Sequence, residues 1–146
     1  MDNNSSNSFD ASYRAFMTAL FVGVADALVC LIYNVVYRSG RPYFSSDIIN
    51  VSYIIFGVLF LFAMIGLIYL FALRLFRQGN LIFMFIMIIL STMALLGIHS
   101  GNFSPDVVEC QSLRAEATGI TIIVGFSATV LVPLLHGSHK FELYVV

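Results

Sequence analysis

Between Asp47 and Arg74 the chain runs 26 residues without a charge, between Arg77 and Asp106 it runs 28, and between Glu116 and Lys140 it runs 23. A fourth stretch, from Arg14 to Arg38, encloses 23 residues and one charge, Asp26. A helix needs about 20 mainly apolar residues to cross roughly 30 Å of hydrocarbon, so each gap is long enough for one span. The rest of the composition agrees: 60% of the 146 residues are apolar and 10% charged, against about 45–50% and about 25% in soluble domains. A single soluble core of this length cannot hide so much apolar surface. Seven Lys/Arg against eight Asp/Glu, net −1, leave no basic face for nucleic acid. A soluble enzyme, a disordered regulator and a nucleic-acid binder are thereby excluded. An integral membrane protein remains.

Strands do not fill the gaps, because none shows the ten-residue alternation of a membrane barrel. The expected fold is an all-α, four-transmembrane-helix bundle over residues 13–137, with spans at about 15–37, 48–73, 81–98 and 115–136 and both termini on the same side. Tyr33, Tyr37, Tyr43, Phe44 and Tyr53 cluster at the first connection, and Tyr69, Phe71 and Phe76 at the second, as headgroup-level aromatic belts do. Arg74, Arg77, Gln78, Gly79 and Asn80 form a short polar link, which makes spans two and three antiparallel neighbours. The Asn/Ser-rich residues 1–12 are expected to be disordered, and 138–146 to be a short tail. With the N-terminus inside, Arg14, Arg74, Arg77 and Lys140 face Arg38, Arg41 and Arg114, four against three, which favours N-in, while the flanks of the first span alone, Arg14 before it and Arg38 and Arg41 after it, point the other way.

The first span carries the one costly residue. At about 100° per residue, Ala19, Gly23, Asp26, Ala27, Cys30 and Asn34 share one arc, and Phe21, Val24, Leu28, Ile32 and Val35 lie opposite. The ladder of Ala19, Gly23 and Ala27 suits close approach of a second backbone. In the fourth span Thr118, Thr121, Gly125, Thr129 and His136 share a face, so spans one and four are expected to turn toward the bundle interior or each other. Asp26 lies twelve residues from both Arg14 and Arg38, at mid-membrane, where an ionised Asp costs about 2.5–3.5 kcal/mol. No Lys or Arg lies inside a span to pair with it, which favours the neutral acid. By depth the expected hydrogen-bonding partners are Ser91, Thr92 and Thr121, with Cys30 and Asn34 on the same face.

Other chemistry is thin. His99 and His136 close antiparallel spans at opposite ends and cannot share a ligand. No Cys/His spacing suits zinc, so no metal and no cofactor is implied. Cys30 and Cys110 differ in depth by two turns or more, which argues against a disulfide. Ser104-Pro105-Asp106 is a helix-start signature; the last loop is expected to hold a short helix or an early, protruding start of the fourth. Glu109 and Glu116 are read as a solvated loop face. Pro133 frees a carbonyl around Thr129 and bends the last helix. The residues Arg38, Arg41 and Tyr43 suit lipid phosphates, and the tail of residues 140–146 alternates.

No nucleophile–base pair or phosphate loop survives inspection, so catalysis is not expected. The leading expectation is an accessory subunit or assembly partner of a larger membrane complex, because the polar seam has no evident partner inside the chain. The alternative is an oligomeric proton- or cation-coupled transporter using Asp26, Cys30, Asn34 and Thr121, with Ala19, Gly23, Ala27 and Gly125 packing helices. The partners implied are the lipid bilayer and other membrane subunits or a second copy. The setting is a multi-pass membrane protein, in the inner membrane if the source is bacterial.

Overall fold

The computed structural model describes residues 3–40, 50–76, 78–101 and 107–137, the first ten of them by backbone alone. The segments holding Arg41, Pro42 and Tyr43, Arg77, Ser104-Pro105-Asp106, and His139 onward lie outside the described residues. Four helices follow one another: α1 (Asn3–Ser39), α2 (Val51–Leu75), α3 (Gly79–Ser100) and α4 (Val107–His136). All four are long and apolar enough to cross a membrane, and no strand occurs among the described residues.

Two helices start earlier than their apolar stretches. α1 is helical from Asn3, through the segment for which composition gave an expectation of disorder; once a stable span nucleates a helix, each added residue gains a hydrogen bond at little cost. α4 begins at Val107, eight residues before the apolar stretch, so the early start is the form adopted, with Cys110, Ser112 and Leu113 buried against the bundle.

Each helix packs on its sequence neighbours, and α4 closes back onto α1. The tightest pairing is α1 with α2. A Cβ added to Gly23 would lie 2.6 Å from Phe62 Cβ, and one added to Gly66 would lie 3.1 Å from Ala19 Cβ. Phe62 and Ala19 are completely buried there. The opposite face of α1, from Phe21 through Leu28 to Val35, is apolar and exposed.

The α2–α3 link is equally close. A Cβ on Gly79 would sit 2.6 Å from the Ala72 carbonyl oxygen, so only glycine lets α3 start against the end of α2. Just inside, the buried Tyr69 hydroxyl donates to Asn80 Oδ1 at 2.7 Å. Its ring meets Phe83 at 4.6 Å and His136 edge-on at 5.3 Å. Those contacts put the ends of α2 and α4 beside the start of α3. At the other end Arg114 of α4 donates from Nε and Nη2 to the Gly101 carbonyl, at 3.1 and 2.7 Å, just past α3. The four helices therefore run alternately up and down.

Candidate functional site

Polar side chains of α1 meet α4 at two depths. Near the middle, Ser127 Oγ donates to Asp26 Oδ1 at 2.6 Å. Asp26 is only 3% exposed, and its second oxygen, Oδ2, is buried without a hydrogen-bond partner. Two turns along α1, the Asn34 amide donates to Glu116 Oε1. Arg38 Nε lies 3.8 Å from the same oxygen, and the Tyr37 hydroxyl donates to the Ser112 carbonyl at 3.2 Å. Eight residues separate Asp26 from Asn34, about 12 Å along a helix.

The local backbone explains where Ser127 sits. Residues Ser127–Leu131 form a π-helical turn within α4, and the Val132 N–H bonds back five residues to the Ser127 carbonyl. Pro133 has no N–H, and in an α-helix its ring would crowd the carbonyl four residues earlier, at Thr129. Widening the preceding turn accommodates both defects. The Thr129 hydroxyl adds a 2.7 Å bond to the Gly125 carbonyl across the same turn. Ser127 is the first residue of the widened turn, so the proline-induced irregularity and the Asp26 contact occupy the same place.

Asp26 and Ser127 line a groove of about 360 Å³ between α1 and α4. Its walls are otherwise hydrocarbon, with Phe21, Val29, Ile122, Phe126, Leu131 and Leu135 prominent. Phe21, Val29 and Phe126 are themselves exposed on the apolar exterior. A carboxyl group with one oxygen held by a hydroxyl and the other free can take a proton, a cation or an N–H donor.

The residues singled out from sequence separate into different places. Asp26 and Asn34 both point at α4, yet each has its own partner. Cys30, between them, is completely buried with a free thiol. Thr121 and Gly125 are elsewhere. Together with Ser91 they line a second, larger groove of about 550 Å³ among α2, α3 and α4. A Cβ on Gly125 would lie 2.7 Å from Ser91 Oγ, so that face of α4 turns to α3. The Thr92 hydroxyl bonds back to the Ile88 carbonyl at 2.8 Å on an exposed surface. Of the three partners expected for Asp26, none meets it.

Two residues were missed. Glu116, read as part of a solvated loop face, is 3% exposed; Asn34 and Arg38 hold it within the α1–α4 contact. Ser127 was passed over because the Thr118–Thr121–Gly125–Thr129 stripe is the more polar one. The face that meets α1 is spelled by Ser112, Glu116, Gly119, Ile123 and Ser127, spaced four, three, four and four residues apart. That is a helical stripe, and its register with α1 is the signal that was available. Gly119 belongs to it because Tyr33 occupies the space a side chain would need.

Among the described residues no three His, Cys, Asp or Glu side chains gather to hold a metal ion. Compared with known proteins, the chain matches no family model, no curated protein and no solved structure. Its function is therefore argued from the α1–α4 seam itself.

Proposed function

We propose that the chain is a multi-pass membrane protein with both termini on one side of the bilayer, working as a small proton- or cation-coupled transporter. Asp26 is the carboxyl group that takes up and gives back the ion. One observation carries this reading: a buried acid at the middle of a span with one oxygen held by Ser127 and the other unpartnered. Ionisable groups at that depth are costly and mark ion or proton pathways. The π-helical turn beside it adds support, since such turns frequently occur at functional sites. The Lys/Arg count leans toward the N-terminus inside.

The expectation of an accessory subunit rests in part on a polar seam without an internal partner. Ser127 and Glu116 now supply that partner, which moves the weight to the transporter. One feature still favours association with another membrane protein or a second copy. Gly57 lines the groove among α2, α3 and α4, and a Cβ there would meet nothing within 4 Å, room for another helix to approach.

Reconstitution separates the two. A proton gradient across proteoliposomes should be dissipated by the wild-type protein when a cation is supplied on the opposite side for exchange, and not by Asp26→Asn, with both variants inserting equally. If the two behave alike, Asp26 is not the carrier. For the association reading, a defined oligomer in mild detergent that Gly57→Leu dissociates is the expected result.

A further inference from the structure

The groove above Asp26 narrows the kind of ion. Small metal cations are held by several oxygens at once, six or more for calcium and near-octahedral sets for magnesium. The α1–α4 groove offers such a cation the oxygens of Asp26 and Ser127 and then only hydrocarbon walls. A hydrated ion would have to shed its water without replacement, which is unfavourable in an apolar setting. Its volume of about 360 Å³ lies within the roughly 300–1,000 Å³ of sites for small organic ligands.

From this geometry we infer that the α1–α4 groove binds a small organic amine in its ammonium form, its N–H donating to Asp26 Oδ2 and its apolar body lying among Phe21, Val29, Ile122 and Phe126. The inference rests on the transporter reading for its purpose, and adds the class of substrate. The exchange balances simply. The O–H bond of the neutral Asp26 breaks, its proton leaves to water, and the ammonium ion takes its place beside the carboxylate. One positive charge enters as one leaves. Ser127 keeps its bond to Oδ1 in both states, so the carboxyl group stays anchored at the groove wall. Oδ2 is screened from outside, so rim side chains must turn aside to admit the ligand. Phe126, 63% exposed on the apolar exterior, has room to do so.

The full chain in lipid nanodiscs provides the test, with 2-phenylethylamine as probe and 2-phenylethanol as its uncharged counterpart. The amine should bind saturably. Asp26→Asn should weaken it by about tenfold or more, the effect of losing a charge-assisted hydrogen bond. Ile122→Trp, which fills the groove from an exposed position, should weaken it while leaving helicity and melting unchanged. Sodium ions should not compete. Equal binding by Asp26→Asn, equal binding of the alcohol, or displacement by sodium would each overturn the inference. Gradient dissipation in liposomes distinguishes its failure from that of the transporter reading. Asp26-dependent flux of sodium without amine binding removes the substrate class alone, and amine binding without any flux removes transport alone.

Discussion

α1 presents two interfaces of opposite character, and the contrast divides its residues by role. Against α2 it is dry and closely fitted, with Ala19 and Gly23 meeting Gly66 and Phe62 at distances no larger side chain tolerates. Against α4 it is polar, closely fitted where Tyr33 lies on Gly119 but open beside Asp26. Asp26 meets Ser127 at an irregular turn, Asn34 and Arg38 meet Glu116, and a groove remains between the helices. In a bilayer, helices gain little from burying apolar surface and associate through van der Waals fit and hydrogen bonds. The α2 side uses the first of these and holds the pair together. The α4 side uses the second and leaves an oxygen unsatisfied, which a purely structural seam would avoid.

That division is broken most directly on the α2 side. Gly23→Leu drives a side chain into Phe62, and overpacking of this kind costs about 1–3 kcal/mol and more when backbone must move. The expected outcome is a large drop in melting temperature in detergent. An unchanged melting temperature would mean that α1 and α2 are not packed as described. Asp26→Asn should do the reverse, abolishing flux while melting shifts by less than the Gly23→Leu change. Ser127→Ala removes the hydroxyl that holds Oδ1, with an expected loss of about 1–2 kcal/mol and reduced rather than absent flux. Glu116→Gln keeps an oxygen for Asn34 but loses the attraction to Arg38, which is partly exposed. A shift of about 1 kcal/mol or less is expected, read by melting at low and high salt, with the wild-type advantage shrinking as salt rises. Thr121→Val should be the mildest, because Thr121 lies on the groove among α2, α3 and α4; flux equal to wild type is the expected result.

The sequence made the four helices legible because charge is scarce and its gaps are long. Asp26 was legible for the same reason: it is the one charge inside a gap. Its partner was not. Polarity singled out Thr121 and Gly125 on α4, yet a membrane-embedded helix has polar residues on more than one face, and small polar groups also serve close packing against α3. Register between α1 and α4 decides which stripe meets Asp26, and one polar face of α4 taken alone does not reveal that register; Ser127 continues the regular stripe of Ser112, Glu116, Gly119 and Ile123 up to the first residue of the π-helical turn. Glu116 reads as solvated because charges at the ends of an apolar run usually are. Its place near the start of the fourth span sets it opposite Asn34 and Arg38 on α1, which hold it inside the bundle.

The central claim is that Asp26 exchanges its proton, whereas a packing residue would keep it. Infrared difference spectra of the protein in liposomes, taken between acidic and alkaline pH, read this directly through the carboxyl C=O band. We predict a protonated-carboxyl band that is present at one end of the range, vanishes at the other, and is missing from Asp26→Asn. A wild-type spectrum identical to that of Asp26→Asn across the whole range would contradict the account.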